Sequence, residues 1–220
     1  MQRQPPDDAG HDHPHGHARV QHHTRPDASE PPTYYQVLET AVRELLIEKG
    51  VLSSEAIQRE IERMQARGPA QGARVVARAW LDPAFKAKLL ARGNDALPDL
   101  GLERGLYKLV VVENTADAHN VVVCTLCSCY PRSLLGLPPD WYKSRSYRSR
   151  TVREPRAVLR EFGLDLPEEV TVRVHDSTAD MRYLVLPARP AGTELWSEEQ
   201  LAAIVTRDCM IGVAVPQATR

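Results

Sequence analysis

Apolar residues between positions 34 and 92 recur with the period of an α-helix. The first apolar stripe ends at Gly50 and is formed by Tyr34, Leu38, Ala41, Val42 and Leu45. Its spacing of three and four positions predicts an amphipathic helix. Serine caps, proline starts and glycine stops predict three further helices at about residues 54–68, 69–80 and 83–93. Residues 34–92 are therefore predicted to form a helical N-terminal arm, which packs on its own core or reaches out to cover a partner subunit.

After residue 93 the period changes to that of β-strands. Four short strands are predicted from β-branched runs, in two pairs each joined by a turn, at residues 109–113, 121–124, 170–174 and 182–186. Helices are predicted beside them from Pro155 to Phe162 and from the capping residue Ser197 through Ile204. The pattern predicts an α+β fold, in which a helical arm precedes a mixed α/β domain with short sheets.

The first 33 residues lack apolar periodicity and are predicted to be a disordered, histidine-rich leader. Its histidines are His11, His13, His15, His17, His22 and His23. The segment is either a solvated leader or tag remnant, or it captures a divalent transition metal weakly through its imidazoles.

Composition is that of a globular protein without a strong charge bias. The 28 basic and 29 acidic residues give a formal charge of −1, which argues against a general affinity for nucleic acid. Residues 143–160 are strongly basic but carry no aromatic platform, so we assign them to subunit contact or substrate-entrance electrostatics. No apolar run reaches the ~20 residues of a membrane span, and the N-terminus lacks a signal-peptide core. We expect a cytoplasmic protein that binds neither membrane nor nucleic acid.

Three of the four cysteines, Cys124, Cys127 and Cys129, lie within six residues, directly after a run of valines. Together with Cys209 they could hold a structural zinc ion, although Cys209 lies in a stretch typical of a buried thiol. A disulfide within the cluster would be strained by its short loops. The third alternative uses the backbone: if the peptide nitrogens of Ser128 and Cys129 lose their protons, three sulfurs and two nitrogens suit a small trivalent ion of iron or cobalt. One coordination position would then stay open for catalysis.

The heptapeptide V-C-T-L-C-S-C at residues 123–129 resembles the signature of the nitrile hydratase α-subunit family, which also contains the metal-bearing subunit of thiocyanate hydrolase. The resemblance covers roughly residues 34–216. Further matching segments are Val111–Thr115, His119–Val123, Leu137–Lys143, Arg153–Arg156, Asp176–Ser177, Met181–Tyr183 and Val205–Asp208. It implies that residues 93–220 form a metal-binding catalytic domain.

The resemblance implies a complete set of metal ligands within the claw, the name used here for residues 124–129. Cys124 would be the axial thiolate, and Cys127 and Cys129 would bind equatorially with the main-chain amides of Ser128 and Cys129. Cys127 would be oxidised to a sulfinic acid and Cys129 to a sulfenic acid. Thr125 is typical of the cobalt-type enzymes, whereas the iron type has serine there. The expected cofactor is one Co³⁺ per chain, with iron as the alternative.

The implied reaction is the hydration of a nitrile to an amide. The metal would polarise the nitrile as a Lewis acid, and the sulfenate oxygen of Cys129, or a water that it activates, would attack the nitrile carbon, so Cys127, Ser128 and Cys129 are the expected catalytic residues. Oxidised sulfurs in a buried site need positive partners. In the family these are arginines of a separate β-type subunit, which is the expected partner, together with a small activator or metallochaperone.

Arg132 departs from the nitrile hydratase pattern. Nitrile hydratases usually carry tryptophan after the Cys-Tyr-Pro segment, as part of the substrate pocket, whereas thiocyanate hydrolases carry arginine. A guanidinium favours an anionic or polar substrate. The alternative function is therefore a thiocyanate hydrolase subunit that releases carbonyl sulfide and ammonia, and a hydratase for a polar nitrile would reconcile both observations.

Three charged residues match family positions that orient or tune the metal site, namely Asp176, Asp180 and Arg182. The alternative for them is an ordinary ion pair in the turn between two strands. His119 and His175 are potential bases, but each lies near a strand end, and we expect a structural role for both.

Overall fold

The computed structural model describes residues 33–218. The predicted disorder and metal capture of the histidine-rich leader therefore concern a segment that, up to residue 32, lies outside the described residues. In the described part of the chain, no helix is long and apolar enough to cross a membrane.

The four helices predicted at the front of the chain are present. They are α1 (Tyr34–Glu48), α2 (Ser54–Ala66), α3 (Pro69–Leu81) and α4 (Pro83–Ala91). Their starts follow from local chemistry, because the side chains of Thr33, Ser53 and Asp82 accept hydrogen bonds from the first free N–H groups of α1, α2 and α4. A short helix α5 (Gly93–Ala96) and a 3-10 turn (Leu97–Leu100) lead into the sheets.

The front helices differ in how much they bury. Helix α1 buries none of its residues within the chain, and apolar side chains of α1 and α2 face outward, among them Leu38, Val42 and Ile61. Helix α3, by contrast, buries six residues against the rest of the molecule. The apolar stripes of α1 and α2 thus remain uncovered by the rest of residues 33–218.

Four strands appear where the sequence predicts them, but consecutive strands do not pair. They are β1 (Lys108–Glu113), β2 (Ala118–Val123), β3 (Thr171–Asp176) and β4 (Met181–Leu186). Strand β1 pairs with β4 and β2 with β3, both in parallel, which gives two short two-stranded sheets. All six residues of β2 are buried, which is typical of a strand covered on both faces. Because the chain combines many helices with two short sheets, the predicted α+β class is confirmed.

The connection from β2 to β3 carries four helices that cover the sheets. These are α6 (Arg132–Leu135), α7 (Asp140–Lys143), α8 (Arg145–Arg153) and α9 (Pro155–Glu161). Only α9 was predicted, and it ends before Gly163, which has a positive φ of 83°. The ring of Trp141 contacts three other aromatic rings edge to face, those of Tyr142, Tyr147 and Phe162. These contacts hold α7, α8 and the end of α9 together.

Two C-terminal helices close the core. They are α10 (Glu198–Ala203), which starts at the predicted capping box, and α11 (Arg207–Ile211), which was not predicted as a helix. Helix α3 packs against α6, α10 and α11. Gly212 ends α11 with a φ of 88° and lies directly against the carbonyl of Asn120, so α11 rests on β2, the strand that leads into the claw.

Candidate metal centre

The claw follows the carboxyl end of β2, at the same edge as the end of its parallel partner β3. Within the claw, Cys124 is fully buried, Cys129 is 8% exposed, and Cys127 lies at the surface. Leu126, at the tip, is 85% exposed. The buried valines of β2 thus anchor one end of the claw, while its tip faces outward.

The three sulfurs of the claw converge on one point. Cys127 Sγ lies 3.5 Å from Cys124 Sγ and 3.2 Å from Cys129 Sγ, and all three atoms lie within 4.8 Å of one another. The peptide N–H of Cys127 donates to Cys124 Sγ at 3.3 Å, and hydrogen bonds from the peptide N–H groups of Ser128 and Cys129 help to lower the pKa of the Cys127 thiol. Three sulfurs therefore surround a common centre, and this cluster of thiols fits a thiophilic transition-metal ion.

The pKa values of Cys127 and Cys129 are shifted in opposite directions. Hydrogen bonds from the thiols of Cys129 and Cys124 lower the pKa of Cys127. Burial raises the pKa of Cys129 to about 12, and the neighbouring thiols add to that rise. Cys127 is therefore the more acidic of these two thiols. A bound cation would favour the thiolate form of all three cysteines.

Neither of the other two interpretations of the cysteines agrees with this geometry. All four cysteines are free, and the sulfur separations exceed the roughly 2.05 Å of a disulfide bond. Cys209 lies in α11, where its Sγ is 3.2 Å from the hydroxyl oxygen of Thr206, so it does not belong to the cluster. A disulfide in the cluster and a zinc site with four cysteines are therefore both wrong for this chain.

Asp176 fixes the first turn of the claw. Its carboxylate accepts hydrogen bonds from the Thr125 main-chain nitrogen at 2.9 Å and from the Thr125 hydroxyl at 2.6 Å. Because Asp176 ends β3 and Cys124 follows β2, the parallel pairing of these strands places the carboxylate beside the claw. Two hydrogen bonds to a charged acceptor hold Thr125 in a single orientation.

Asp180 and Arg182 do not form the ion pair that was the alternative for this turn. The guanidinium of Arg182 donates to the main-chain carbonyls of Thr178 and Met181, and stacks 4.8 Å from the centre of the Tyr107 ring. Its charge lowers the pKa of Cys129 against the larger effect of burial, so it acts on the claw. The carbonyl of Asp180 accepts from the Lys108 nitrogen at 2.8 Å, and no described contact joins its side chain to the claw.

Three residues that the sequence did not single out also support the claw. Tyr142 donates its hydroxyl proton to the Cys129 carbonyl at 2.8 Å, and Tyr147 donates to the Val122 carbonyl at 2.7 Å. Arg148 donates from Nη1 to the Cys127 carbonyl at 3.0 Å. The available signal was Tyr147 in an otherwise basic segment, which indicates that one side of α8 is buried.

Arg132 lies outside the immediate surroundings of the sulfurs. It begins α6 and lines an open cavity of about 600 Å³ with Tyr107, Leu137 and residues of α2, and no cysteine of the claw lines this cavity. A second open cavity, of about 520 Å³, lies between Thr125 and Leu126 of the claw and the arginines of α8. Tyr107, which lines the first cavity, contacts Arg182 and shares a 2.8 Å hydrogen bond with Ser133.

His119 and His175 both lie away from the sulfurs, in hydrogen bonds to the fold. Nε2 of His119 bonds the Gly212 carbonyl at 2.7 Å, and Nε2 of His175 bonds the Asn120 side-chain oxygen at 2.8 Å. Burial lowers the pKa of each imidazole, which favours the neutral form. Their geometry is that of structural histidines.

Comparison with known proteins identifies the family to which this fold and cysteine cluster belong. The family model described as nitrile hydratase, alpha chain, matches residues 33–214. The chain therefore belongs to the nitrile hydratase α-chain family, and the resemblance of its cysteine motif is confirmed.

The similar proteins include enzymes of two kinds. The chain is 52% identical over 182 residues to the cobalt-containing nitrile hydratase subunit alpha of Pseudonocardia thermophila, covering 81% of this chain and 89% of the relative. It is 48% identical over 195 residues to the thiocyanate hydrolase subunit gamma of Thiobacillus thioparus, covering 83% and 80%. A solved structure of the Fe-type nitrile hydratase from Comamonas testosteroni Ni1, a double mutant, superimposes with a TM-score of 0.77 at 45% identity, covering 86% and 93%.

These relatives make the chain an enzyme subunit of the nitrile hydratase and thiocyanate hydrolase group. Together with the three converging cysteines they point to a metal centre in the claw. Both a cobalt-containing and an Fe-type enzyme occur among them, so the comparisons leave the identity of the metal open.

Proposed function

We propose that this chain is the metal-bearing α-type subunit of a cobalt nitrile hydratase, which converts a nitrile to the amide. The observation that carries the proposal is the convergence of three sulfurs at the end of a buried strand. Such a centre, with one position left open, suits Lewis-acid catalysis better than a structural role.

The metal would be held by the sulfurs of Cys124, Cys127 and Cys129 and by the main-chain nitrogens of Ser128 and Cys129. When bound, it would supply Lewis acidity to the nitrile. We favour one Co³⁺ per chain, because Thr125 follows the first cysteine and because the relative from Pseudonocardia thermophila is cobalt-containing. Iron is the alternative.

The chain's own groups would carry out the attack on the substrate. Cys127 would be present as a sulfinic acid and Cys129 as a sulfenic acid. The sulfenate oxygen of Cys129, or a water that it polarises, would add to the nitrile carbon. Asp176 would hold Thr125 and hence the turn of the claw, while Arg182 would tune the acidity of Cys129. We retain Asp180 with them as a proposal, although its side chain makes no described contact with the claw.

A β-type subunit would complete the site. The tip of the claw is exposed at Leu126, and the oxidised sulfurs would need positive partners that this face of the chain supplies only in part. The outward apolar faces of α1 and α2 would be covered by the same subunit. A small activator or metallochaperone would assist cobalt insertion.

Thiocyanate hydrolysis is the second candidate, and Arg132 favours it. The side chain is exposed beside an open cavity, where a guanidinium could attract an anionic substrate. The thiocyanate hydrolase of Thiobacillus thioparus is among the similar proteins. The same claw would then release carbonyl sulfide and ammonia.

The test is a substrate comparison on the cobalt-loaded complex, produced together with its β-type subunit. Amide formation from a panel of polar and apolar nitriles is compared with thiocyanate consumption. Amide as the main product supports the first candidate, and consumption of thiocyanate alone supports the second. Zinc content with three unmodified thiols in the tryptic claw peptide would contradict both.

A further inference from the structure

Arg148 is a basic side chain of α8 that reaches the backbone of the claw. Its Nη1 donates to the Cys127 carbonyl at 3.0 Å, while its Nε is buried and has no hydrogen-bond partner among the described residues. Of the hydrogen bonds described for residues 33–218, this is the one between the claw and a cationic side chain.

Helix α8 holds Arg148 rigidly in this position. The preceding residue, Tyr147, is buried and donates to the Val122 carbonyl in β2, two residues before the claw begins. Ser144 caps the start of the helix, and Thr151 bonds back to the Tyr147 carbonyl at 2.6 Å. The backbone of Arg148 is therefore anchored, through Tyr147, to β2, which is also the strand that positions Cys124. The packing of α8 on β2 thus sets the distance between Arg148 and the claw.

The other arginines of α8 have different surroundings. Arg150 is engaged by the carboxylates of Glu154 and Glu161 on the outer side. Arg145 and Arg153 line the same open cavity as Arg148, but no described hydrogen bond joins them to the claw. The contact is therefore specific to one residue and does not follow from the basic character of the helix.

The chemistry of the contacted atom gives this hydrogen bond its meaning. The Cys127 carbonyl oxygen and the Ser128 nitrogen belong to one peptide group, and Ser128 nitrogen is among the proposed metal ligands. A peptide nitrogen that binds a metal as an anion shares its charge with the carbonyl oxygen of the same group. Three thiolates and two such nitrogens carry more negative charge than a trivalent ion compensates, so a cation on that oxygen is stabilising.

We propose that Arg148 is a positioning residue of the metal centre. Its guanidinium fixes the plane of the Cys127–Ser128 peptide, which aims the Ser128 nitrogen at the metal, and it offsets the charge left on the carbonyl oxygen. This inference rests on the proposed function, because it requires a claw that binds metal through the backbone.

The experiment compares Arg148→Gln, Arg148→Lys and the control Arg145→Gln in the cobalt-loaded complex with its β-type partner. Cobalt loss to an excess of chelator is followed by metal analysis, and the sulfur-to-cobalt absorption band is recorded in the visible range. Residues that orient metal ligands typically contribute 10- to 100-fold to metal affinity. We therefore expect Arg148→Gln to lose cobalt about 10- to 100-fold faster and to shift the band, with Arg145→Gln unchanged. Arg148→Lys, which keeps the charge but not the planar fork, should fall between them.

Equal cobalt retention and identical spectra in Arg148→Gln and Arg145→Gln would overturn the inference and leave the proposed function intact. A parent complex that holds no cobalt or iron would instead contradict the proposed function itself. If Arg148→Gln does not fold, as judged by its circular dichroism, the cobalt retention of Arg148→Lys is compared with that of Arg145→Gln instead. Equal retention in these two variants would again overturn the inference.

Discussion

At the residue scale, the three cysteines of the claw are chemically alike but differently placed. Cys124 is fully buried, Cys127 is exposed with a lowered pKa, and the pKa of Cys129 is raised by burial to about 12. Asp176, Tyr142 and Arg148 each bond a different part of the claw's backbone or side chains. The sequence motif predicted the cysteines but not Tyr142 or Arg148, because those residues reach the claw only through the packing of α7 and α8.

Cys129→Ser tests the role of the sulfur that would carry the sulfenate. The serine hydroxyl cannot be oxidised in this way, so turnover should fall below detection, while part of the cobalt remains bound through Cys124 and Cys127. The measurement is the initial rate of amide formation together with the cobalt content. Cys209→Ser is the matched control, because Cys209 lies in α11, outside the cluster. Parent-level activity in Cys129→Ser would refute the sulfenate role.

Asp176→Asn tests whether the carboxylate orients the claw. The amide side chain keeps its size but loses the charge that strengthens both bonds to Thr125. We expect roughly 10-fold weaker cobalt retention, measured by competition with a chelator. Asp165→Asn is the comparison, because this exposed carboxylate pairs with Arg160 and no described contact joins it to the claw. Equal retention in the two variants would argue against a specific role for Asp176.

At the element scale, β2 and β3 determine where the site forms. Their parallel pairing brings Cys124, after one strand, and Asp176, at the end of the other, to the same edge of the sheet. Caps and local periodicity predicted the positions of α1–α4, α9 and α10 and of all four strands. Pairing was not predictable in the same way, because β1 and β4 are separated by most of the domain and their register depends on long-range packing. Helix α8 was missed because its many arginines hide the buried side that carries Tyr147.

Gly212→Ala tests the contact between α11 and β2. A Cβ at this position would overlap the Asn120 carbonyl, and the φ of 88° is unfavourable for any side chain. We expect a loss of more than about 3 kcal/mol in the free energy of unfolding, measured by urea denaturation. Gly163→Ala is the control, because its φ of 83° is similar but nothing lies within 4 Å of the new methyl group. That variant should lose only about 1–2 kcal/mol, and an equal loss in both would contradict the proposed contact.

At the scale of the whole molecule, two outward-facing surfaces stand out on the part of the chain that the structure describes. One is the apolar side of α1 and α2, and the other is the outward face of the claw around Leu126. A partner that covered the second surface would seal the centre from water and could bring further positive charge to the sulfurs. Both features agree with a catalytic unit that is completed by a second subunit.

The double variant Leu38→Glu with Val42→Glu tests the first of these surfaces. Both side chains are exposed in the isolated chain, so its thermal stability should change little, whereas charges at a buried interface should weaken association with the β-type subunit at least 10-fold. Association is measured by titration of the two purified subunits. Glu44→Lys, on the same helix, is the control for a change of charge alone. Undiminished association of the double variant would contradict the proposed interface.

X-ray absorption at the cobalt edge of the purified complex tests the central claim most directly, because it reports the atoms bound to the metal. We expect a trivalent cobalt ion whose nearest neighbours are the three sulfurs of the claw together with light atoms at the distance of nitrogen. A cobalt shell of oxygen and nitrogen alone would contradict the account, and so would zinc in place of cobalt or iron.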